Sequence, residues 1–337
     1  MTGLIIILLL VLVLPFTMKS VEDNLEIFLF SMGVAAVVIS GELDRPLMVK
    51  ALEDPIKIAL TVLVAGLLFK WLLRPFEKLV RKTSKSMSYP FFFSLVVIVL
   101  GLLSSMITAI IAALLLVNIV TSLRLDRTSE LRLVIISCFS IGLGATLTPI
   151  GEPLSTIVAS KLNGDFLLLF RLIGPEVMIG VVMMGIFAGL FIQPQLHKPG
   201  LSAVSKAETY EEILNRTIKI YLFVMGLTLL GAGFEPMINM YMLELNPFLL
   251  YWINMISAVL DNATLAAAEI SPAMDFMAIK AILLGLITSG GMLIPGNIPN
   301  IISAGKLNIT SKEWAKFGVP FGLMTMVVYF VVILYGE

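Results

Sequence analysis

The sequence predicts an all-α polytopic membrane protein built from two inverted-topology repeats, each with a re-entrant hairpin and an unwound transmembrane helix. Three observations predict it. The 337 residues are 58% hydrophobic and 14% charged, where soluble domains run nearer a quarter charged. Several segments reach the ~20 apolar residues that a helix needs to cross hydrocarbon. Motifs of the first half recur, in order, in the second.

Hydropathy places helices at about 4–17, 24–40 and 56–73, and the first is read as retained, because "LIIILLLVLVLPF" has no basic stretch before it. A basic stretch over about 74–89 carries Arg74, Lys78, Arg81, Lys82 and Lys85. Residues 90–122 form one apolar run interrupted by Ser104, Ser105 and Thr108. Each half is about 15 residues, or roughly 22 Å of helix, short of a ~30 Å core. Both flanks are basic, with Arg124, Arg127 and Arg132 on the far side, and Lys and Arg collect on the cytoplasmic face. A hairpin that dips in and returns satisfies both facts; two short tilted spans are the alternative.

A helix over about 131–145 runs into "TLTPIGEP" (146–153), and a short helical piece ends near 163. A span at about 171–192 precedes the polar loop 193–216. Then come a span at about 217–234, the run 247–270, a helix at 276–292, the break "LIPGNIP" (293–299) and a last span at 315–335. The organisation is therefore N-terminal helices in 1–54, a first repeat in 55–192 (hairpin 90–122, broken helix 131–163), a cytoplasmic linker in 193–216, and a second repeat in 217–337 (hairpin 247–270, broken helix 276–308).

The repeat signal is threefold. "IKI" occurs at 56–58 and 218–220; "SSMITAIIAA" (104–113) lies over "SAVLDNATLA" (257–266); "GEPLSTIVASKLN" (151–163) lies over "GNIPNIISAGKLN" (296–308). An odd number of crossings in the first half starts the second from the opposite face. The loop 235–247, with Glu235 and Glu244 but no Lys or Arg, agrees as an outer loop. Inverted repeats mark secondary transporters.

Four helix breaks fall at corresponding points: hairpin tips at 104–109 and 257–264, unwound loops at 146–153 and 292–299. Pro149 and Pro153 break the first loop, Pro295 and Pro299 the second, because proline lacks the donor and clashes with the preceding turn. Gly151 and Gly296 permit tight turning at the same places. Around the breaks stand Asp261, Glu152, Asn262, Asn297, Asn300, Ser104, Ser105, Thr108, Thr146, Thr148, Ser257 and Thr264, oxygen donors and amides that suit a small alkali cation. No Lys or Arg sits at any break. Two carboxylates facing a dianion at 4 Å would cost about 4 kcal/mol per charge pair at an effective dielectric of 20. A carboxylate at depth holds a proton or a cation, so a sodium site at Asp261 and Glu152 that exchanges one for the other is the expected chemistry. Capping of a helix start by Asp261 is compatible with that role. Glu176 and Glu269 read as interface residues.

Other classes fit poorly. Net charge is zero, which gives no basic surface for nucleic acid. One histidine (His197, in a polar loop) and one cysteine (Cys138, in an apolar run) leave no zinc or haem site and no Ser-His-Asp set, so neither an enzyme nor a cofactor is expected. The alternative transport reading is sodium- or proton-coupled movement of a small organic or inorganic anion, of dicarboxylate or arsenite type, with the acids binding only the coupling ion.

"SAVLDNATLAAA" and "GATLTPIGEP" together resemble the acid-amide hairpin and the Thr-Pro-x-Gly-acid loop of the ion transporter superfamily, in particular its NhaD-type sodium/proton antiporters. The likeness runs from about residue 55 to the end. It implies a homodimer in a plasma membrane, surrounded by lipid, whose transport domain moves elevator fashion while carrying sodium ions and protons. Asp261, Asn262, Thr264, Thr148 and Glu152 would be the ion-site residues. The hairpin tips "SSMIT" and "SAVLDNAT" depart from the paired Ser-Asn-Thr tips of dicarboxylate members.

Overall fold

Apolar runs closed by Pro, Gly and Asn set nearly every helix boundary. The computed structural model describes residues 2–53, a few positions between 55 and 67, and 86–123, 125–162, 164–194, 209–241, 246–255, 262–270 and 274–335. The expected span at 56–73 and the basic stretch 74–89 fall largely outside the described residues, as does most of the linker 193–216. Among the described residues there is no strand.

Helices α1 (Thr2–Thr17), α2 (Lys19–Asp23) and α3 (Leu25–Ser40) open the chain, with Gly41 ending α3 in the left-handed region that glycine adopts without strain. Next come α4 (Tyr89–Ile107) and α5 (Ala109–Leu123), then α6 (Arg127–Ala145) and α7 (Pro153–Lys161), and the span α8 (Leu168–Phe191). The second part holds α9 (Tyr210–Tyr241), α10 (Pro247–Ile253), α11 (Asn262–Glu269), α12 (Phe276–Gly290), a 3-10 turn at Ile294–Gly296, α13 (Ile298–Leu307) and α14 (Ser311–Tyr335). Asp126 caps α6 by accepting from Ser129 N, and Asp275 caps α12 by accepting from Ala278 N at 2.6 Å, which fixes both starts.

Among the described residues, five helices are long and apolar enough to cross a membrane: α4, α6, α8, most of α9 and most of α14. Their outward faces are greasy, as at Ile179, Leu190 and Val328. In a soluble protein such continuous exposed apolar faces would aggregate; here they suit lipid. α6 is different, being buried on nearly every side, and forms the axis of the bundle with α12.

Glycine permits the closest crossings. A Cβ on Gly144 of α6 would lie 1.7 Å from the Gly101 carbonyl oxygen of α4, so those two backbones touch. α3 and α9 meet the same way, with Gly33 against the Gly226 carbonyl and Gly233 against Ala36.

The first apolar run divides differently from expectation. α4 continues through Ser104 and Ser105 to Ile107, 19 residues or about 28 Å, and the interruption is the single residue Thr108. The prolines also act differently. Pro153 begins α7 and Pro299 lies in the first turn of α13, where the missing N–H would be unpaired anyway. They start the second helix of each pair rather than ending the first.

One clamp ties the ends together. Arg127 donates to both Glu313 carboxylate oxygens (3.0 and 2.8 Å), to Glu130 at 2.9 Å, and to the carbonyls of Leu307 and Asn308 at 3.1 and 3.0 Å. It thus joins the starts of α6 and α14 to the end of α13 and neutralises the buried Glu130.

Candidate functional site

Four helices converge on one place. A cavity of about 40 Å³ is lined by Ala109 and Ile110 of α5, Gly151, Glu152 and Pro153 at α7, Asn262 at α11, and Asn297 and Ile298 at α13. That volume holds two or three waters or a small ion. The lining segments of α5, α7 and α13 are the N-terminal edges of their helices, where about half a positive charge per helix gathers.

The breaks are shaped for this. Gly151 sits so close to Ala145 that a Cβ would come within 1.9 Å of its carbonyl oxygen, and the Gly151 carbonyl accepts from Ala109 N at 3.0 Å. That bond pins the start of α5 to the loop before α7. Thr108 adopts φ 75 and ψ 148, a conformation that costs a β-branched residue about 1–3 kcal/mol. Holding it lets α4 stop and α5 begin with a one-residue connection.

Of the sequence-predicted residues, the structure brings Glu152, Asn262 and Asn297 together. All three are buried, at 7%, 4% and 6% exposure. The Asn297 amide lies over Gly142, where a Cβ would sit 2.6 Å from its nitrogen. The Asn262 amide nitrogen is buried without a hydrogen-bond partner among the described residues. No Lys or Arg lines the cavity. Asp261 and Ser257 lie outside the described residues, and the side chain of Thr264 is likewise not described.

The hydroxyl residues serve the backbone instead. Ser104 donates to the carbonyls of Gly101 (2.6 Å) and Ile141 (3.0 Å), Ser105 to Leu102, Thr146 to Leu143, and Thr148 to Ser105. Asn300 donates to the carbonyls of Gly290 and Leu293 at 2.9 and 2.8 Å. None of these five lines the cavity. The carbonyls freed at the ends of α6 and α12 are thereby occupied by protein donors, Ser155 to Thr146 among them. This answers the broken-helix problem internally on the carbonyl side. Pro149 accepts from Thr156, Pro295 and Gly296 make the 3-10 turn, and Pro299 receives the Cys138 thiol at its carbonyl.

Two acids depart from the interface reading. Glu176 is ion-paired with Lys280 of α12, and its carbonyl accepts from the Tyr329 hydroxyl at 3.1 Å. Glu269 is buried at 1% exposure. What the sequence reading missed is the role of the helix starts at Ala109 and Ile298, which are apolar residues with no side-chain signal; only the breaks before them were visible.

Among the described residues, five apolar helices of spanning length define a polytopic helical membrane protein. No curated protein matches the chain. It belongs to the family described as protein of unknown function (DUF1646), whose model matches residues 1–335.

Proposed function

We propose that the chain is a secondary active transporter exchanging sodium (or lithium) for protons at this cavity. The observation that carries it is the buried Glu152 carboxyl, set among the Asn262 and Asn297 amides without a basic side chain lining the cavity. The starts of α5, α7 and α13 bring their positive dipole ends to the Glu152 carboxyl. An acid compensated in this way can exist deep in the bundle, and it has room for a small cation or a proton. The recurrence of a broken run, a long helix, a break, a short helix and a span in each half supports inverted repeats. The resemblance to NhaD-type antiporters supports a homodimer in the plasma membrane with an elevator movement.

Purified protein in liposomes under a pH gradient tests the proposal. Sodium should dissipate the gradient, and Glu152→Gln or Asp261→Asn should abolish that response. Sodium-independent dissipation, or unchanged rates in both variants, refutes it.

A second reading is coupled transport of a small anion. The unpartnered Asn262 N–H, a donor, and the positive dipole ends of α5, α7 and α13 favour it. The cavity volume favours an inorganic ion or small carboxylate over a larger dicarboxylate. Thermal stabilisation by such an anion, with none by sodium, would move the conclusion to this reading.

A further inference from the structure

The interior holds a second acidic site, away from the cavity. Glu269 lies seven residues beyond Asn262 on α11, on the same helix face and about 10 Å further along. Both of its carboxylate oxygens are buried without a hydrogen bond of normal geometry among the described residues, and the same holds for both polar atoms of the Asn254 amide. Asn254 is the polar side chain facing it. Four unsatisfied polar atoms thus stand together at 1% and 0% exposure. Folded proteins leave few such groups, and each asks for an explanation.

One added proton closes the account. A neutral carboxylic acid and a primary amide are complementary: the acid O–H donates to the amide oxygen while the amide N–H donates to the acid carbonyl. All four atoms are then paired. An ionised carboxylate accepts only from the N–H, and turns its negative oxygen toward the amide oxygen. A sodium ion would find two side chains here, too few oxygens for its shell. Among the described residues, the titratable groups on the neighbouring elements do not compensate the charge either. Lys280 on α12 is held by Glu176, Lys219 on α9 by Glu26, Glu235 on α9 is exposed, and the Tyr251 hydroxyl of α10 donates to Met326 O. On α7, the Lys161 side chain is not described, while Glu152 sits at the cavity end.

We propose that Glu269, paired with Asn254, is a proton-binding site that locks α11 in its buried position. Water supplies the proton and receives it back when α11 moves; one O–H bond forms or breaks and nothing else changes. Because Asn262 begins the same short helix, the proton on Glu269 governs whether that residue stays at the cavity. This last step rests on the transporter reading, whereas the protonated acid does not.

Infrared difference spectra of the purified full-length protein at neutral pH read the proton directly. A protonated-carboxyl C=O band is expected, lost in Glu269→Gln, whose amide still pairs with Asn254. Asn254→Leu should keep the band and move it to higher frequency, because the acid loses its hydrogen-bond partner. Absence of the band, or a band of unchanged intensity in Glu269→Gln, overturns the proposal; if that variant does not fold, an unshifted band in Asn254→Leu overturns it. In liposomes, Glu269→Gln should lose sodium-dependent proton movement while keeping the thermal shift that sodium causes. Wild-type rates in the variant refute the lock, whereas inactivity of the wild type counts against the transporter reading alone.

Discussion

Replacing Asn300 with alanine removes one amide that serves two carbonyls. Asn300 is fully buried, and its nitrogen bridges Gly290 O and Leu293 O, at the end of α12 and inside the break that follows. Neither carbonyl can reach water once the amide is gone. An unsatisfied buried acceptor costs about 1–3 kcal/mol, so the pair amounts to about 2–6 kcal/mol. For a chain of this size each kcal/mol moves the midpoint by about 2 °C, and Tm should fall by about 4–12 °C. Asn300→Asp keeps the shape but turns donors into acceptors facing two carbonyls, so it should lose at least as much. Asn297→Ala is the contrast. Its side chain makes no hydrogen bond among the described residues, and its loss should shift Tm by less than about 2 °C while altering the response to ligand. Thermal unfolding of purified protein in detergent gives all three numbers. A shift below 1 °C in Asn300→Ala would refute the view that this residue holds the break together rather than binding the ion.

Three further outcomes follow from the same geometry. Arg127→Ala removes the guanidinium from the buried Glu130 and from Glu313 and should cost a few kcal/mol, up to about 3–5, visible as a large fall in Tm; Arg127→Lys, unable to grip both Glu313 oxygens, should fall between. Gly144→Ala drives a methyl into the Gly101 carbonyl and should lower stability by about 1–3 kcal/mol or more, since both atoms in collision belong to helix backbone or its first carbon. Thr108→Gly relieves a positive φ at the price of chain entropy and a long 3.4 Å bond from Ile111 N; the net should be a gain of up to about 1 kcal/mol, seen as a slightly raised Tm.

The helices were legible because hydrophobic runs and their punctuation are local properties. So were the two loops at 146–153 and 292–299, since Pro149, Pro153, Pro295 and Pro299 announce them. The assignment of donors was less legible. Ser104, Ser105, Thr146, Thr148 and Asn300 stood at the right places in sequence, yet each turns to a carbonyl supplied by its own or a neighbouring helix. Which carbonyl lies within reach is decided by packing, and no spacing rule reports it. Glu269 was misplaced for a related reason. An acid near the end of a short helix reads as exposed unless the elements covering it are known, and α11 packs against α7, α9 and α12. The face shared with Asn262, seven residues earlier, was the available clue.

The backbone seam between α3 and α9 has a bearing on biogenesis. Gly33 meets Gly226, so the opening helices find their permanent seat only after the second half of the chain has emerged from the ribosome. At about 5–20 residues per second, that wait is on the order of ten seconds or longer. Until then α3 must sit in the bilayer as a lodger, its small-residue groove filled by lipid tails, and a cell lacking chaperoning at that stage would lose newly made protein to its membrane proteases.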